Sequence, residues 1–269
     1  MADSSEHQST DIHLPNTYLS TVLGKLMETP KFSDLKFVCE GQEIKVHKAI
    51  VCIQSPVIDK STNNEFFVEA CKDRIEMDNF DLPTVKRMVE FMYTGKYSAG
   101  TDEISLDTSK TATLAESEDA GAKTASEEAE HTKSLEILKR HVRVNAIADY
   151  YDIPRLRDVA SSMIEGIFTR IGFSANVFLN VLKEATEITG DKGLYRVLGL
   201  AAANHLEELI LNENFRAIDI MKDGFGGSLL FACAHLITAT RSSLKTEREL
   251  HERTKRELAT LRGRKRDFN

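Results

Sequence analysis

Apolar positions along this chain recur with two different periods, and the change of period divides it. Leu19, Val22, Leu23 and Leu26 sit at helical spacing. Leu35, Phe37 and Cys39 then alternate with Lys36, Val38 and Glu40; Gly41 follows as a turn residue, and Ile44 and Val46 alternate after it. Alternation on both sides of a short polar turn predicts a β-hairpin. A helix is expected from Lys48 to near Gln54, stopped by Pro56, and a short third strand at Ile75 and Met77. Leu82, Val85, Met88, Val89 and Met92 predict a helix that starts near Asp81 and ends before Gly95. From Leu135 the chain reads as helix almost to its end. Leu135–Tyr151 is apolar on more than one face, the pattern of a buried helix. Pro154 can open the next one, with Leu156, Val159, Met163 and Ile167 on one stripe. Further stripes run through Val177, Val181, Leu182 and Ile188, through Leu194, Val197, Leu198, Ala201 and Leu209, and through Leu229, Leu230, Cys233 and Ile237. The expected class is α+β: a small β-sheet flanked by helices, followed by an all-helical extension.

One stretch fits neither period. Ser98–Thr132 contains no aromatic residue and is built from Ala, Ser, Thr, Glu and Asp. It carries nine acids against two bases, a surplus of seven equal to the net charge of −7 of all 269 residues. Such a segment buries too little apolar surface to offset an ordering cost of about 1–2 kcal/mol per residue. It is expected to be a disordered insertion in a surface loop, which a fold tolerates because closure cost grows only logarithmically with loop length. Leu244–Asn269 is the counterweight, with nine bases and five acids.

Composition narrows the function classes. At 41 % hydrophobic and 29 % charged residues the chain is globular, and no apolar run reaches the roughly 18 residues a membrane span needs. Met1–Thr10 is polar and acidic, which argues against a secretory signal. Cys39, Cys52, Cys71 and Cys233 form no CxxC pair, so a zinc module is not expected and a reducing compartment, cytoplasm or nucleus, is. No phosphate-binding glycine loop, GxSxG or HExxH is present. Cys52 sits in an Ala-Ile-Val-Cys-Ile run, the composition of a core helix rather than of an open nucleophile site. Neither an enzyme nor a cofactor is expected.

Four segments, in order, resemble the BTB/POZ interaction domain. Lys31-Phe32-Ser33-Asp34-Leu35-Lys36-Phe37-Val38 looks like the family's opening strand, and Ile44-Lys45-Val46-His47-Lys48-Ala49-Ile50-Val51-Cys52-Ile53-Gln54-Ser55-Pro56 like its His-Lys pair leading into an apolar helix. Arg74-Ile75-Glu76-Met77 leads into Val89-Glu90-Phe91-Met92-Tyr93-Thr94-Gly95-Lys96-Tyr97, similar to the family's helix ending in Tyr-Thr-Gly. Asn145–Leu156 resembles its closing helical hairpin. The resemblance implies a BTB/POZ domain over residues 12–170, interrupted by the disordered acidic insertion at 98–132. Residues 1–11 are expected to be a disordered N-terminus, 171–243 a helical extension, and 244–269 a charged helix with a basic tail.

Such domains are protein–protein modules that commonly homodimerise, and many recruit a cullin to form a ubiquitin ligase. The resemblance therefore implies an adaptor holding a substrate protein that the sequence does not name. Asp34 and His47 fall on or beside the two hairpin strands. The resemblance places them in a charged pocket at the dimer face. Read from the residues alone, they make a structural hydrogen bond, imidazole donating to carboxylate. Phe67-Val68-Glu69 fits a hydrophobic–x–Glu cullin-contact motif, with Phe67 as an apolar anchor and Glu69 adding a directed contact; a surface Glu beside a buried Phe is the plainer reading. Glu249–Arg253 and Glu252–Arg256 are i,i+4 pairs that would support an exposed C-terminal helix. Arg262, Arg264, Lys265 and Arg266 are candidates for nuclear targeting, which supplies the alternative of a nuclear regulatory scaffold. No aromatics or groove-reading motif accompany them, so nucleic-acid binding is not expected.

Overall fold

The two-residue turn Glu40–Gly41 sets the first register. Both residues have positive φ, +50° and +74°, as a type I′ turn demands, and glycine meets that demand without a Cβ penalty. The turn joins β1 (Leu35–Cys39) to β2 (Gln42–Val46) as an antiparallel pair with Cys39 opposite Gln42 and Leu35 opposite Val46. β3 (Arg74–Glu76) adds to the other edge of β1 in parallel, giving the order β2-β1-β3. As the central strand, β1 is buried at Leu35, Phe37, Val38 and Cys39.

The chain is described here by a computed structural model over residues 16–29, 31–63, 73–98, 120–171, 173–217 and 224–266. Its contacts divide it into two units, 1–160 and 161–269. In the first, α1 (Asn16–Glu28) leads into the hairpin, followed by α2 (Lys48–Val51), α3 (Pro56–Asn63), β3, α4 (Leu82–Thr94) and α5 (Ala120–Tyr150). α6 (Pro154–Ile171) then contributes its first two turns. The core of this unit joins Phe37 of the sheet to Met88 and Phe91 of α4, Ile147 of α5 and Leu156 of α6.

α4 is bounded by the signals the sequence carries. Asp81 caps its start, accepting from the Thr84 N–H at 2.7 Å, and Gly95 ends it in the left-handed region at φ +72°. The turn from α5 to α6 is a Schellman arrangement: the Ile153 N–H donates to the Ala148 carbonyl at 2.8 Å and that of Asp152 to Asp149 at 3.2 Å, with Asp152 at φ +50°.

Two helices differ from expectation. α2 spans only four residues, and Pro56 does not merely stop it but opens α3. Proline fits a first helical position because its missing N–H would find no partner there, and Ser55 caps that start by accepting from the Ile58 N–H at 3.1 Å. α5 begins at Ala120, not near Leu135, so 120–132 continues a helix where a disordered insertion was expected; 99–119 lies outside the described residues. The physical reason is composition: Ala120, Ala122, Ala125 and Ala129 among Glu and Lys have high intrinsic helix propensity. The expectation that this helix is buried around much of its circumference holds from Ser134 to Ala148, where Leu138, Val142, Val144 and Ile147 are all inaccessible.

The second unit is helical: the end of α6, then α7 (Ala175–Ile188), α8 (Lys192–Asn204), α9 (Leu206–Leu211), α10 (Glu213–Ala217) and α11 (Phe225–Arg266). Phe178, Leu182, Leu194, Leu198, Leu209 and Phe225 are buried within it. α8 and α11 approach closely at Gly199, where an added Cβ would lie 2.8 Å from the Ser228 carbonyl carbon. The Leu229 stripe and the charged segment from Leu244 are one continuous helix. Its exposed ion pairs are Lys245–Glu249 at 4.0 Å and Arg253–Glu257 at 3.2 Å, so Glu249 and Arg253 each take a different partner from the one expected.

Candidate functional site

The hairpin and α2 bring Asp34, His47 and Lys48 together, but not as the sequence suggested. His47 does not pair with Asp34. Its Nε2 lies 2.9 Å from the Lys31 carbonyl and its Nδ1 2.7 Å from the Tyr93 hydroxyl. A carbonyl only accepts, so Nε2 carries the proton and Nδ1 accepts from Tyr93. The Tyr93 oxygen in turn accepts from the His47 backbone N–H at 2.9 Å. Burial raises the Tyr93 hydroxyl above its ordinary range, which keeps the donating proton in place. The imidazole is 7 % exposed and Tyr93 2 %, so this closed network locks the end of β2 to the last turn of α4.

Asp34 has a different task. Its Oδ1 accepts from the Lys48 N–H at 2.8 Å, at the start of α2, where His47 as the preceding residue offers no side-chain cap. The carboxylate therefore caps a helix from a neighbouring strand end, a position where negative charge is favoured. The Lys48 ammonium reaches Asp73 at 2.6 Å, a contact that raises its pKa. The expected structural hydrogen bond exists for each residue, with partners other than each other. What hid this was distance along the chain, since Tyr93 lies 46 residues from His47.

Around this frame stand two exposed hydrophobic residues. Phe32 is 79 % exposed, with φ +65°, and the Lys31 ammonium sits 5.4 Å from its ring centre. An aromatic residue in the left-handed region is a genuine backbone outlier, of a kind that clusters at binding sites. Ile53, in the turn after α2, is 85 % exposed. Gln54 fixes that turn by donating to the carbonyls of Ile50 at 3.0 Å and Met92 at 2.7 Å. Neither Phe32 nor Ile53 was singled out in the sequence, because exposure cannot be read from periodicity.

Phe67 and Glu69 lie outside the described residues, as does Cys71. The backbone of Arg262, Arg264, Lys265 and Arg266 continues α11. Cys52 Sγ lies 3.3 Å from the Thr62 hydroxyl, and both nitrogens of His47 are engaged elsewhere, so the two do not form a nucleophile–base pair. Among the described residues no group of three His, Cys, Asp or Glu is placed to hold a metal, and no helix is long and apolar enough to cross a membrane.

The hairpin is thus locked to α4 through His47 and Tyr93, while Asp34 and Asp81 cap α2 and α4. Residues 23–115 match the family model of the BTB/POZ domain, and the chain carries that domain. Mouse TD and POZ domain-containing protein 3 is 40 % identical over 82 residues, covering 30 % of this chain and 22 % of the relative. Mouse TD and POZ domain-containing protein 2 is 37 % identical over 82 residues with the same coverage. The chain thus spans about a fifth of the length of these relatives, as the 22 % coverage states. The BTB domain of human gigaxonin is similar to 59 % of this chain over 99 % of its own length, at 16 % identity and a TM-score of 0.35.

Proposed function

We propose that the protein is a homodimeric adaptor that uses its BTB/POZ domain to join a second copy of itself and to recruit a cullin-based ubiquitin ligase. The observation that carries the dimer reading is Phe32: a 79 % exposed aromatic at φ +65°, two residues before the carboxylate that caps α2. Burying such a ring against a partner gains about 1.5–3 kcal/mol. Asp34→Asn separates charge from capping, because the amide oxygen still accepts from Lys48. Light scattering on the full chain is expected to give twice the chain mass. Phe32→Ala shifts that toward one chain mass, and Asp34→Asn does so only if the carboxylate charge serves the interface. A monomeric wild type refutes the dimer.

Cullin recruitment rests on the BTB/POZ match and on the Phe67-Val68-Glu69 motif. An aromatic anchor contributes about 2 kcal/mol or more at an interface centre, roughly thirtyfold in affinity. Purified cullin is expected to bind wild type and to lose that factor with Phe67→Ala or Glu69→Lys. No binding to wild type sinks this part of the reading while leaving the dimer intact.

A second reading is a nuclear regulatory scaffold, favoured by the basic end of α11. Cytoplasmic and nuclear residence are separated by imaging the tagged chain with and without Arg262–Arg266. Unchanged nuclear signal after deletion removes the tail from targeting.

A further inference from the structure

The helical unit contains a cleft of about 460 Å³ between α6 and α8. One wall is aromatic. Phe173 stacks face to face on His205, with ring centres 4.1 Å apart and planes 1° from parallel, and leans on Phe178 at 5.4 Å. Phe178 is fully buried, so this wall is anchored in the core. Phe168 of α6 extends it, 6.3 Å from Phe173. The floor is aliphatic, from Val197, Leu200 and Ala201 of α8, and Leu200 remains 38 % exposed.

Charge makes the cleft selective. Glu165 on α6 is the one acid in its lining, and no Lys or Arg lines it. Thr169, Asn204 and the His205 imidazole add the remaining polar groups. Ring faces carry partial negative charge and attract cations within about 6 Å. A carboxylate beside ring faces and an aliphatic floor therefore favours a cationic side chain with an apolar neighbour. An acidic segment would meet like charge and no counter-cation.

We infer that this cleft captures a short segment of a partner protein in which Lys or Arg stands next to an aliphatic or aromatic residue. The cation lies against the Phe168–Phe173 wall and pairs with Glu165, while its neighbour packs on Leu200 and Ala201. This deepens the adaptor reading by naming what the helical unit holds, and rests on it only for the captured segment being a partner's. The assignment falls on none of the residues singled out for dimer or cullin contact.

The test is selection of a random heptapeptide display library on the purified full chain, followed by binding measurements on the enriched peptides. Enriched sequences are expected to pair Lys or Arg with Leu, Ile, Met or Phe, and to bind Glu165→Lys at least tenfold more weakly. Leu200→Asp is expected to weaken them similarly. Glu165 and Leu200 are exposed, so both variants should keep wild-type circular dichroism. No enrichment, enrichment of acidic peptides, or equal binding to wild type and Glu165→Lys overturns the inference. None of these outcomes bears on dimer mass or cullin binding, so the adaptor reading stands or falls separately.

Discussion

The Tyr93 hydroxyl makes two hydrogen bonds to one residue, and both sit where water does not reach. It accepts from the His47 N–H and donates to Nδ1, so removing it leaves a buried donor and a buried acceptor unpaired. Leaving one such group unsatisfied costs about 1–3 kcal/mol. Tyr93→Phe keeps the ring and its edge-on packing against the imidazole, so the loss is polar. Denaturant unfolding is expected to show Tyr93→Phe destabilised by about 1–3 kcal/mol; an unchanged midpoint would mean that the network is not closed. A second buried imidazole gives a pH signature. His141 is 4 % exposed and shares a 2.7 Å hydrogen bond with the Tyr97 hydroxyl. Burial, then the nearby Arg87 and Arg140 charges, push its pKa down to about 4. The unfolded chain takes up this proton first as pH falls, so the stability contribution is complete above the ordinary histidine range near 6.5 and is lost on descending toward 4. The drop amounts to about 3 kcal/mol over that window. His141→Gln keeps a partner for Tyr97 but cannot protonate. Its unfolding free energy should fall less between pH 6.5 and pH 4 than that of wild type.

Among the elements, glycine shows how position decides the sign of a substitution. In a helix interior Gly→Ala ordinarily stabilises by about 1 kcal/mol. Gly227, in the first turn of α11, has nothing within 4 Å of an added Cβ, and Gly227→Ala should stabilise by up to that amount. Gly199, in α8, would bring its Cβ to 2.8 Å from the Ser228 carbonyl carbon and 2.9 Å from its oxygen. Backbone cannot rotate away, so the two helices must separate, at about 1–3 kcal/mol. Thermal unfolding is expected to move in opposite directions for the two variants, and stabilisation by Gly199→Ala would show that the helices are free to part. The same contrast explains which elements the sequence discloses. The hairpin and α4 announce themselves because their boundaries are local chemistry: Glu40–Gly41, Asp81 and Gly95. α3 is hidden because Pro56 is both a stop and a start, and only Ser55 tells which. The first turns of α5 are hidden because acidic composition suggests disorder while its alanines favour helix. At the candidate site, Asp34 and His47 are legible as neighbours beside the hairpin. Their actual partners are not, because Tyr93 and Lys31 reach them only through the folded chain.

On the scale of the whole molecule, charge is segregated rather than spread. The acidic surplus of seven lies in 98–132 and the basic surplus of four in 244–269, so the net value of −7 describes neither the tail nor the rest of the chain around the acidic stretch. The two units likewise have their own buried cores, one built around Phe37, Met88 and Ile147, the other around Phe178, Leu198 and Phe225. The division falls at 160/161, inside α6, so a single helix begins in one unit and ends in the other. A stability change in one core need not reach the other unless that helix transmits it. Tyr93→Phe acts in the first unit and Gly199→Ala in the second. Scanning calorimetry of the full chain should resolve two components, with each variant lowering a different one. If both variants shift one undivided transition, α6 couples the cores into a single cooperative body. Two independent components, each lowered by one variant, mean that the two cores unfold separately even though one helix runs through both.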